Sequence, residues 1–106
     1  MNITTRKLMQ EIREAKLLYA AEGFIIRGVF GSYARGDFDD QSDVDIAFSL
    51  EQQKFFSKHS GFASASRLAE IAAELSLTLG KRVDLFSLNS PDKKSVNKVM
   101  KEMLDA

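Results

Sequence analysis

The chain has 106 residues, of which 44% are hydrophobic and 28% charged, and it contains no cysteine. This composition is typical of a globular protein, so we expect one domain over residues 1–106, and it excludes disulfides and thiolate metal sites. Fifteen basic residues balance fifteen acidic residues, which argues against a nucleic-acid partner because such proteins usually carry a basic excess. We find neither an apolar signal segment nor a run of membrane-spanning length, so we expect a cytoplasmic protein without a membrane partner.

Hydrophobic periodicity and turn residues predict an α/β fold. In chain order we expect a helix at 5–22, a strand at 24–30, a turn at 31–42 with one short helical turn at its centre, and a strand at 43–50. An irregular connection at 51–66, a helix at 67–79 and a strand at 81–88 follow. A last helix begins at Ser90-Pro91-Asp92, and its buried residues are expected to be Val96, Val99, Met100, Met103 and Leu104. Thr4 or Thr5 is the expected N-cap of the first helix, and Gly23 is expected to end it. The order α-β-turn-β-α-β-α predicts a sheet of at least three strands flanked by helices.

Two aspartates begin the second predicted strand. Asp43 and Asp45 are two residues apart in extended chain, so their carboxylates project from the same face of the strand. Nothing in the local sequence offsets their mutual repulsion, and a hard divalent cation such as Mg²⁺ or Mn²⁺ would do so. The alternative is an Asp-rich turn that leads into a half-exposed strand, which Asp-x-Asp on its own does not exclude.

The residues just upstream favour a site that binds a triphosphate with its metal. Gly31-Ser32 directly follows a hydrophobic strand, and glycine permits close backbone approach while amide groups and the Ser32 hydroxyl can hold phosphate oxygens. Arg35 lies within reach of the same pocket, and Gly36 allows the chain to turn. A phosphate cradle and a carboxylate pair on either side of one tight connection therefore predict a metal–triphosphate site.

Asp84 is a third candidate carboxylate. It lies between Val83 and Leu85 in the third predicted strand, where a half-buried charge is costly unless it is paired or bound to metal. If this strand adjoins the one carrying the first two aspartates, three carboxylates meet. The alternative is an ion pair between Asp84 and Lys81 or Arg82 at the end of the strand.

These residues resemble a known signature. Gly31-Ser32, ten intervening residues and Asp43-Val44-Asp45 are similar to the GS-x10-DxD pattern of the DNA polymerase beta-like nucleotidyltransferase superfamily. The segment GSYARGDFDDQSDVDI is especially similar to its minimal nucleotidyltransferase (MNT) branch, in which GS, ARG and SD-x-D recur together. The resemblance covers nearly the whole chain and implies the nucleotidyltransferase fold, with a small mixed sheet flanked by helices.

The resemblance also implies a mechanism. Asp43 and Asp45 would bind two Mg²⁺ ions that carry the triphosphate, and Asp84 would share a metal and help to deprotonate the attacking hydroxyl. That hydroxyl would displace pyrophosphate from the α-phosphorus, with the two metals stabilising the attacking and leaving oxygens. The residues that the resemblance assigns to nucleotide binding are Gly31, Ser32, Arg35 and Ser42.

Family members of this size commonly occur beside a helical HEPN protein, the two behaving as antitoxin and toxin. The resemblance thus implies AMP transfer from ATP to a hydroxyl of a HEPN-like partner, although no residue of this sequence identifies adenine. Two alternatives remain open. One is nucleotidyl transfer to a small hydroxylated molecule such as an antibiotic, for which relatives usually carry an additional substrate domain. The other is a non-catalytic binding antitoxin that keeps a vestigial site.

Other conspicuous residues are expected to be structural. The Asp-rich run at 37–45 fails as an EF-hand calcium loop because its sixth and twelfth positions are Ser42 and Phe48. We expect His59 to lie on the surface. The three aromatic residues of the predicted irregular connection, Phe55, Phe56 and Phe62, are expected to pack into the core; the alternative is a patch that contacts a partner.

Overall fold

The protein is described by a computed structural model that covers residues 2–106. Its helices are α1 (Ile3–Ala20), α2 (Ser32–Arg35), α3 (Gln52–Lys58), α4 (Phe62–Leu79) and α5 (Lys93–Glu102), and its strands are β1 (Phe24–Phe30), β2 (Val44–Leu50), β3 (Val83–Ser87) and β4 (Leu104–Asp105). The strands form one mixed sheet in the order β3-β2-β1-β4. The β1–β2 and β1–β4 pairs are antiparallel, whereas β2 and β3 are parallel. The α/β class and the small mixed sheet flanked by helices are therefore confirmed.

One face of the sheet carries the main core. The buried cluster joins apolar residues of the strands to apolar residues of α1 and α4, among them Ile12, Ile26, Ile46, Ile71 and Leu75. Burial of this kind contributes about 25 cal/mol per Å² of apolar surface, so it is the main reason the two long helices hold their positions. Across residues 2–106, no helix is both long enough and apolar enough to cross a bilayer.

A β-bulge in β1 controls which side chains reach that core. The pairing register with β2 shifts between Ile26 and Gly28, so Arg27 is the extra residue. The bulge lets Ile26 and Val29, which are three residues apart, both lie in the core. It also directs Phe30, the register partner of Asp45, to the opposite face. This opposite face carries the candidate site.

The predictions for residues 51–66 are wrong in several respects. The connection expected to be irregular at 51–66 contains α3 and the first turn of α4, and Phe55 of α3 is completely buried. Tertiary packing of this one aromatic stabilises a short helix that the polar sequence does not indicate. Phe56 and Phe62 are instead exposed, at 44% and 96%, so their expected core packing is also wrong. The expected surface location of His59 needs revision as well, because its ring is half-buried against Glu22.

The chain ends differently from the prediction. Helix α5 stops at Glu102, and Leu104 pairs with Val29 in a short edge strand instead of continuing the helix. Glycine at position 28 permits this pairing, because a Cβ there would overlap the Leu104 carbonyl and the Met103 side chain. The prediction of Thr4 or Thr5 as the N-cap of α1 is also wrong. Asn2 is the N-cap, because its side chain accepts a hydrogen bond from the Thr5 amide at 2.8 Å.

Candidate active site

Three aspartates lie at one end of the β2–β3 pair. Asp45 in β2 and Asp84 in β3 are register partners in the parallel ladder, so their side chains leave the same face of the sheet. Asp43 lies two residues before Asp45, immediately ahead of β2. The structure thus brings together the three carboxylates that the sequence singled out.

The electrostatics of the cluster reflect this proximity. Burial raises the pKa of Asp45, and the negative charges of Asp84 and Asp43 raise it further. A hydrogen bond from Arg82, whose Nε lies 2.9 Å from Oδ1 of Asp43, lowers the pKa of Asp43. Arg82 therefore pairs with Asp43, and the expected alternative of a pair with Asp84 is not what the structure contains.

Gly31 lies against the central carboxylate. It joins β1 to α2 with φ 75° and ψ −149°, a backbone conformation that is essentially restricted to glycine. A Cβ at this position would overlap Oδ2 of Asp45. The Gly31 turn, which we define as Gly31–Gly36, can approach the carboxylates this closely only because its first residue has no side chain.

The remaining predicted nucleotide-binding residues lie on or near this turn. Ser32 is the first residue of α2, directly after Gly31. Arg35 donates from Nε to Asp37 at 3.2 Å and from Nη1 to Glu102 at 3.0 Å. The Ser42 hydroxyl is engaged within its own turn, where it accepts a hydrogen bond from the Asp39 amide at 2.9 Å. Its assignment to nucleotide binding stays a prediction.

Sequence reasoning missed Glu102. Its Oε1 accepts hydrogen bonds from the Gly31 amide at 2.5 Å and from Arg35 Nη1 at 3.0 Å. The two contacts span 71 and 67 positions of sequence, so no local pattern could have revealed them. The only available signal was the position of a carboxylate at the end of an amphipathic helix, which is too common to be informative.

A cavity of about 300 Å³ adjoins the Gly31 turn. Phe30 and Phe86 line it from the sheet, with their rings in edge-to-face contact at 5.8 Å between centroids. Ser95, Lys98 and Val99 line it from α5. Arg35 and Glu102 also line it, so the cavity offers aromatic surface, one hydroxyl, two basic groups and one carboxylate beside the Gly31 turn.

The chemistry of the donor set fits a hard divalent cation. The cluster offers only oxygen donors. Burial is the main cause of the raised pKa of Asp45, and the charges of Asp84 and Asp43 add a repulsion that a cation would relieve. Within residues 2–106, no group of three or more acidic, histidine or cysteine side chains, the three aspartates included, is arranged so that it could hold a metal ion by itself. This is compatible with magnesium, which proteins usually bind through one or two carboxylates together with substrate phosphates.

Comparison with known proteins identifies the family. The model of the "Polymerase beta, Nucleotidyltransferase" family matches residues 24–104. The protein adenylyltransferase MntA of Thermococcus cleftensis is 31% identical over 106 residues, which cover 98% of each chain. A protein of Methanocaldococcus jannaschii, provisionally named a protein adenylyltransferase, is 33% identical over 72% of this chain and 69% of its own length.

Solved structures agree with this assignment. One, described provisionally as a minimal nucleotidyltransferase, superposes with a TM-score of 0.67 at 29% identity and covers 92% of each chain. Another, described as a toxin–antitoxin with AMP-PNP, superposes with a TM-score of 0.65 at 26% identity over 90% of this chain and 70% of its own. The matches agree with the resemblance in the GS and DxD segments and with the mixed sheet that carries them. We conclude that the chain belongs to the polymerase beta nucleotidyltransferase family and is a nucleotidyltransferase.

Proposed function

We propose that the chain is a Mg²⁺-dependent nucleotidyltransferase that transfers AMP from ATP to a hydroxyl group of a partner protein. The observation that carries this proposal is the meeting of Asp43, Asp45 and Asp84 on one face of the sheet, beside the Gly31 turn. We further propose that residues 1–106 act as a single catalytic domain and that the protein works in the cytoplasm.

The local charge supports a requirement for metal. The carboxylates around the Gly31 turn are Asp37, Asp43, Asp45, Asp84 and Glu102, and the guanidinium groups among them belong to Arg35 and Arg82. Lys98 at the adjoining cavity and Lys81 beside the Tyr33 ring add two ammonium groups. The carboxylates still outnumber the basic groups by five to four, and their charge would repel a free triphosphate. We propose that Asp43, Asp45 and Asp84 hold two Mg²⁺ ions, with Mn²⁺ as a possible substitute. When bound, these ions would neutralise the triphosphate and stabilise the attacking and leaving oxygens.

The protein's own residues would position the reactants. We propose that Ser32 and the amide groups of the Gly31 turn hold the β- and γ-phosphates, with Arg35 and Ser42 as further nucleotide contacts. Asp84 would accept the proton of the attacking hydroxyl. The hydroxyl oxygen then forms a bond to the α-phosphorus, the bond from that phosphorus to the β-phosphate bridging oxygen breaks, and pyrophosphate leaves.

The proposed acceptor comes from the relatives. The Thermococcus protein is named a protein adenylyltransferase, and one similar structure is that of a toxin–antitoxin with AMP-PNP. We therefore propose that this chain acts as the antitoxin of such a pair and that its partner is a HEPN-like helical protein. In this arrangement AMP transfer would inactivate the partner.

The test is a transfer assay on the complex as it occurs in the native host. Tagged protein is purified with whatever binds it and incubated with Mg²⁺ and ATP labelled at the α-phosphate. We expect label, and the added mass of AMP, on a co-purifying protein. Transfer should disappear with Asp43→Ala or Asp45→Ala while the circular dichroism spectrum is retained.

Other outcomes would redirect the proposal. Label on a small molecule instead of a protein would establish the antibiotic-modifying alternative. Neutralisation of the partner by a folded but inactive Asp45→Ala variant would establish a binding antitoxin. Transfer that survives both aspartate substitutions would refute the site.

A further inference from the structure

Glu102 connects two parts of the proposed nucleotide site through one oxygen atom. Its Oε1 accepts from the Gly31 amide at 2.5 Å and from Arg35 Nη1 at 3.0 Å. Both contacts are charge-assisted, since the acceptor is a carboxylate, and such bonds are stronger than neutral ones. The Glu102 side chain is only 23% exposed and Gly31 is buried, so solvent screens their contact less than it would at the surface. Arg35 is 50% exposed, so its ion pair with Glu102 is screened more strongly.

The backbone on both sides of Glu102 belongs to regular elements. Glu102 is the last residue of α5, and β4, which starts two residues later, pairs with β1 through Leu104 and Val29. The carboxylate therefore projects from a backbone that is tied to the strand preceding the Gly31 turn. Movement of Glu102 away from the turn would require the end of α5 or its side chain to rearrange.

Gly31 is confined between two carboxylates. Its Cα lies so close to Asp45 that a Cβ would overlap Oδ2, while its amide hydrogen points to Glu102. The contact with Asp45 restricts how far the turn can move in one direction. The hydrogen bond to Glu102 fixes the turn against movement in the other.

We infer that Glu102 is a positioning residue, which holds the Gly31 turn and Arg35 in the geometry that binds the triphosphate. This inference rests on the proposed function of the site. In this role Glu102 acts through Gly31 and Arg35 and not on the reacting atoms themselves. The rival role is that of a competitor, in which the carboxylate would occupy a phosphate position and would have to leave when nucleotide binds.

The experiment compares two substitutions with a matched control. Glu102→Gln keeps an oxygen that can accept from the Gly31 amide but loses the ion pair with Arg35, whereas Glu102→Ala loses both. Asp37→Asn is the control, because it removes the other ion pair of Arg35 and leaves the Gly31 contact unchanged. Circular dichroism and thermal melting establish that each variant is folded.

The first measurement requires no nucleotide. We expect hydrogen–deuterium exchange of the amides in Gly31–Gly36 to accelerate about tenfold or more in Glu102→Ala, because the constraint on the turn is lost. Glu102→Gln should give a smaller acceleration, and Asp37→Asn should match the wild type at Gly31. Unchanged exchange in Glu102→Ala would overturn the inference even if the protein transfers nucleotide normally.

The second measurement separates positioning from competition. With saturating Mg²⁺, we expect Glu102→Ala to raise the KM for ATP by about 10-fold to 100-fold, because small displacements of positioning groups are costly. Glu102→Gln should recover part of the loss. A KM equal to or below that of the wild type would overturn the inference and favour the competitor role. Faster exchange in a protein whose wild-type form does not bind ATP would support the constraint and refute the proposed function alone.

Discussion

Asp45 and Asp84 are register partners in adjacent parallel strands, and their carboxylates share the face of the sheet that carries the Gly31 turn. In a parallel ladder such partners lie side by side, so two ionised carboxylates at these positions repel each other. Burial is the largest cause of the raised pKa of Asp45, and the charges of Asp84 and Asp43 raise it further through this repulsion. Metal-free protein therefore carries an unfavourable interaction that folding alone does not remove.

Asp45→Asn should make the metal-free protein more stable while abolishing transfer. The amide is nearly isosteric but uncharged, so it removes the repulsion and also the proposed metal ligand. At neutral pH without divalent metal, we expect a rise in the melting temperature on the order of 4 °C, which corresponds to about 1 kcal/mol for a domain of this size. Differential scanning calorimetry and the AMP-transfer assay measure the two effects.

The control for Asp45→Asn is Asp40→Asn, an equal change of charge at an exposed position in the preceding turn. It should alter neither the melting temperature nor transfer by a measurable amount. Added Mg²⁺ should raise the melting temperature of the wild type and of the Asp40→Asn variant but leave that of the Asp45→Asn variant nearly unchanged. A destabilised Asp45→Asn protein would contradict the account of the carboxylate cluster.

Gly31→Ala should impair ATP binding more than it lowers stability, whereas Gly36→Ala should lower only the stability of the fold. Both glycines have positive φ, at 75° and 90°, so each substitution costs about 1–3 kcal/mol of backbone strain. Only at Gly31 does the new Cβ also overlap Asp45, because nothing lies within 4 Å of a Cβ at Gly36. We expect Gly31→Ala to lose ATP binding by calorimetry and Gly36→Ala to retain it.

Comparable ATP affinity in the Gly31→Ala and Gly36→Ala variants would contradict this prediction. The close approach of Gly31 to Asp45 would then have no part in nucleotide binding. The melting temperatures of the two variants provide the necessary reference, because they report the backbone strain that both substitutions share.

The elements that carry the candidate site could be predicted from the sequence. The β-rich run of β1, the alternation of β2 and the glycine–serine connection between them are local patterns, and each was predicted with the correct type. Asp84 could be assigned to the cluster because β3 was recognisable as a strand. Its pairing with β2, and therefore the register match of Asp84 with Asp45, is shown only by the structure.

The features that sequence reasoning missed depend on contacts between distant residues. Helix α3 exists because Phe55 is buried, and β4 exists because Gly28 leaves room for Leu104. Glu102 binds Gly31 across 71 positions. None of these relationships has a periodicity or a local motif, so they could not be inferred before the fold was known.

Arg82→Ala should strengthen the binding of divalent metal. The Arg82 guanidinium lies 2.9 Å from Asp43, where it competes with a cation for the same carboxylate. Because the Arg82 side chain is 77% exposed, solvent screens the ion pair strongly, so we expect a gain in Mn²⁺ affinity of about fivefold at most. Titration followed by electron paramagnetic resonance of free Mn²⁺ measures this directly.

Lys81→Ala is the matched control for Arg82→Ala, since it removes the same charge from the neighbouring residue, whose ammonium lies beside the Tyr33 ring. Its effect on Mn²⁺ affinity should be smaller. Weaker Mn²⁺ binding in Arg82→Ala would show that the arginine supports the carboxylate arrangement instead of competing for it.

A second set of charged and polar side chains connects α4 to α1 and to the residues that follow α1 and α3. Arg67 of α4 donates to both carboxylate oxygens of Glu22, at 2.7 and 2.8 Å, and to Glu74 at 3.0 Å. His59, just after α3, lies 3.0 Å from Glu22, and the Tyr19 hydroxyl donates to Glu74 at 2.7 Å. The hydrogen bonds from Arg67 are the largest cause of the lowered pKa of Glu22.

Arg67→Met should destabilise the protein in a pH-dependent way. The Arg67 side chain is only 18% exposed, and removing it leaves Glu22 half-buried with His59 as its remaining partner, so we expect a loss of about 2 kcal/mol at pH 7. Because folding lowers the pKa of Glu22 below its usual 4.5, the stabilisation is complete above pH 4.5 and declines as the pH falls through the folded-state value. The free energies of unfolding of wild type and variant, measured in urea, should therefore converge below pH 4.5.

The control for Arg67→Met is Arg6→Met, at an exposed position of α1, which should follow the wild type at every pH. A difference between wild type and Arg67→Met that stays constant down to pH 3 would mean that lost packing of the arginine side chain, and not its charge, accounts for the destabilisation.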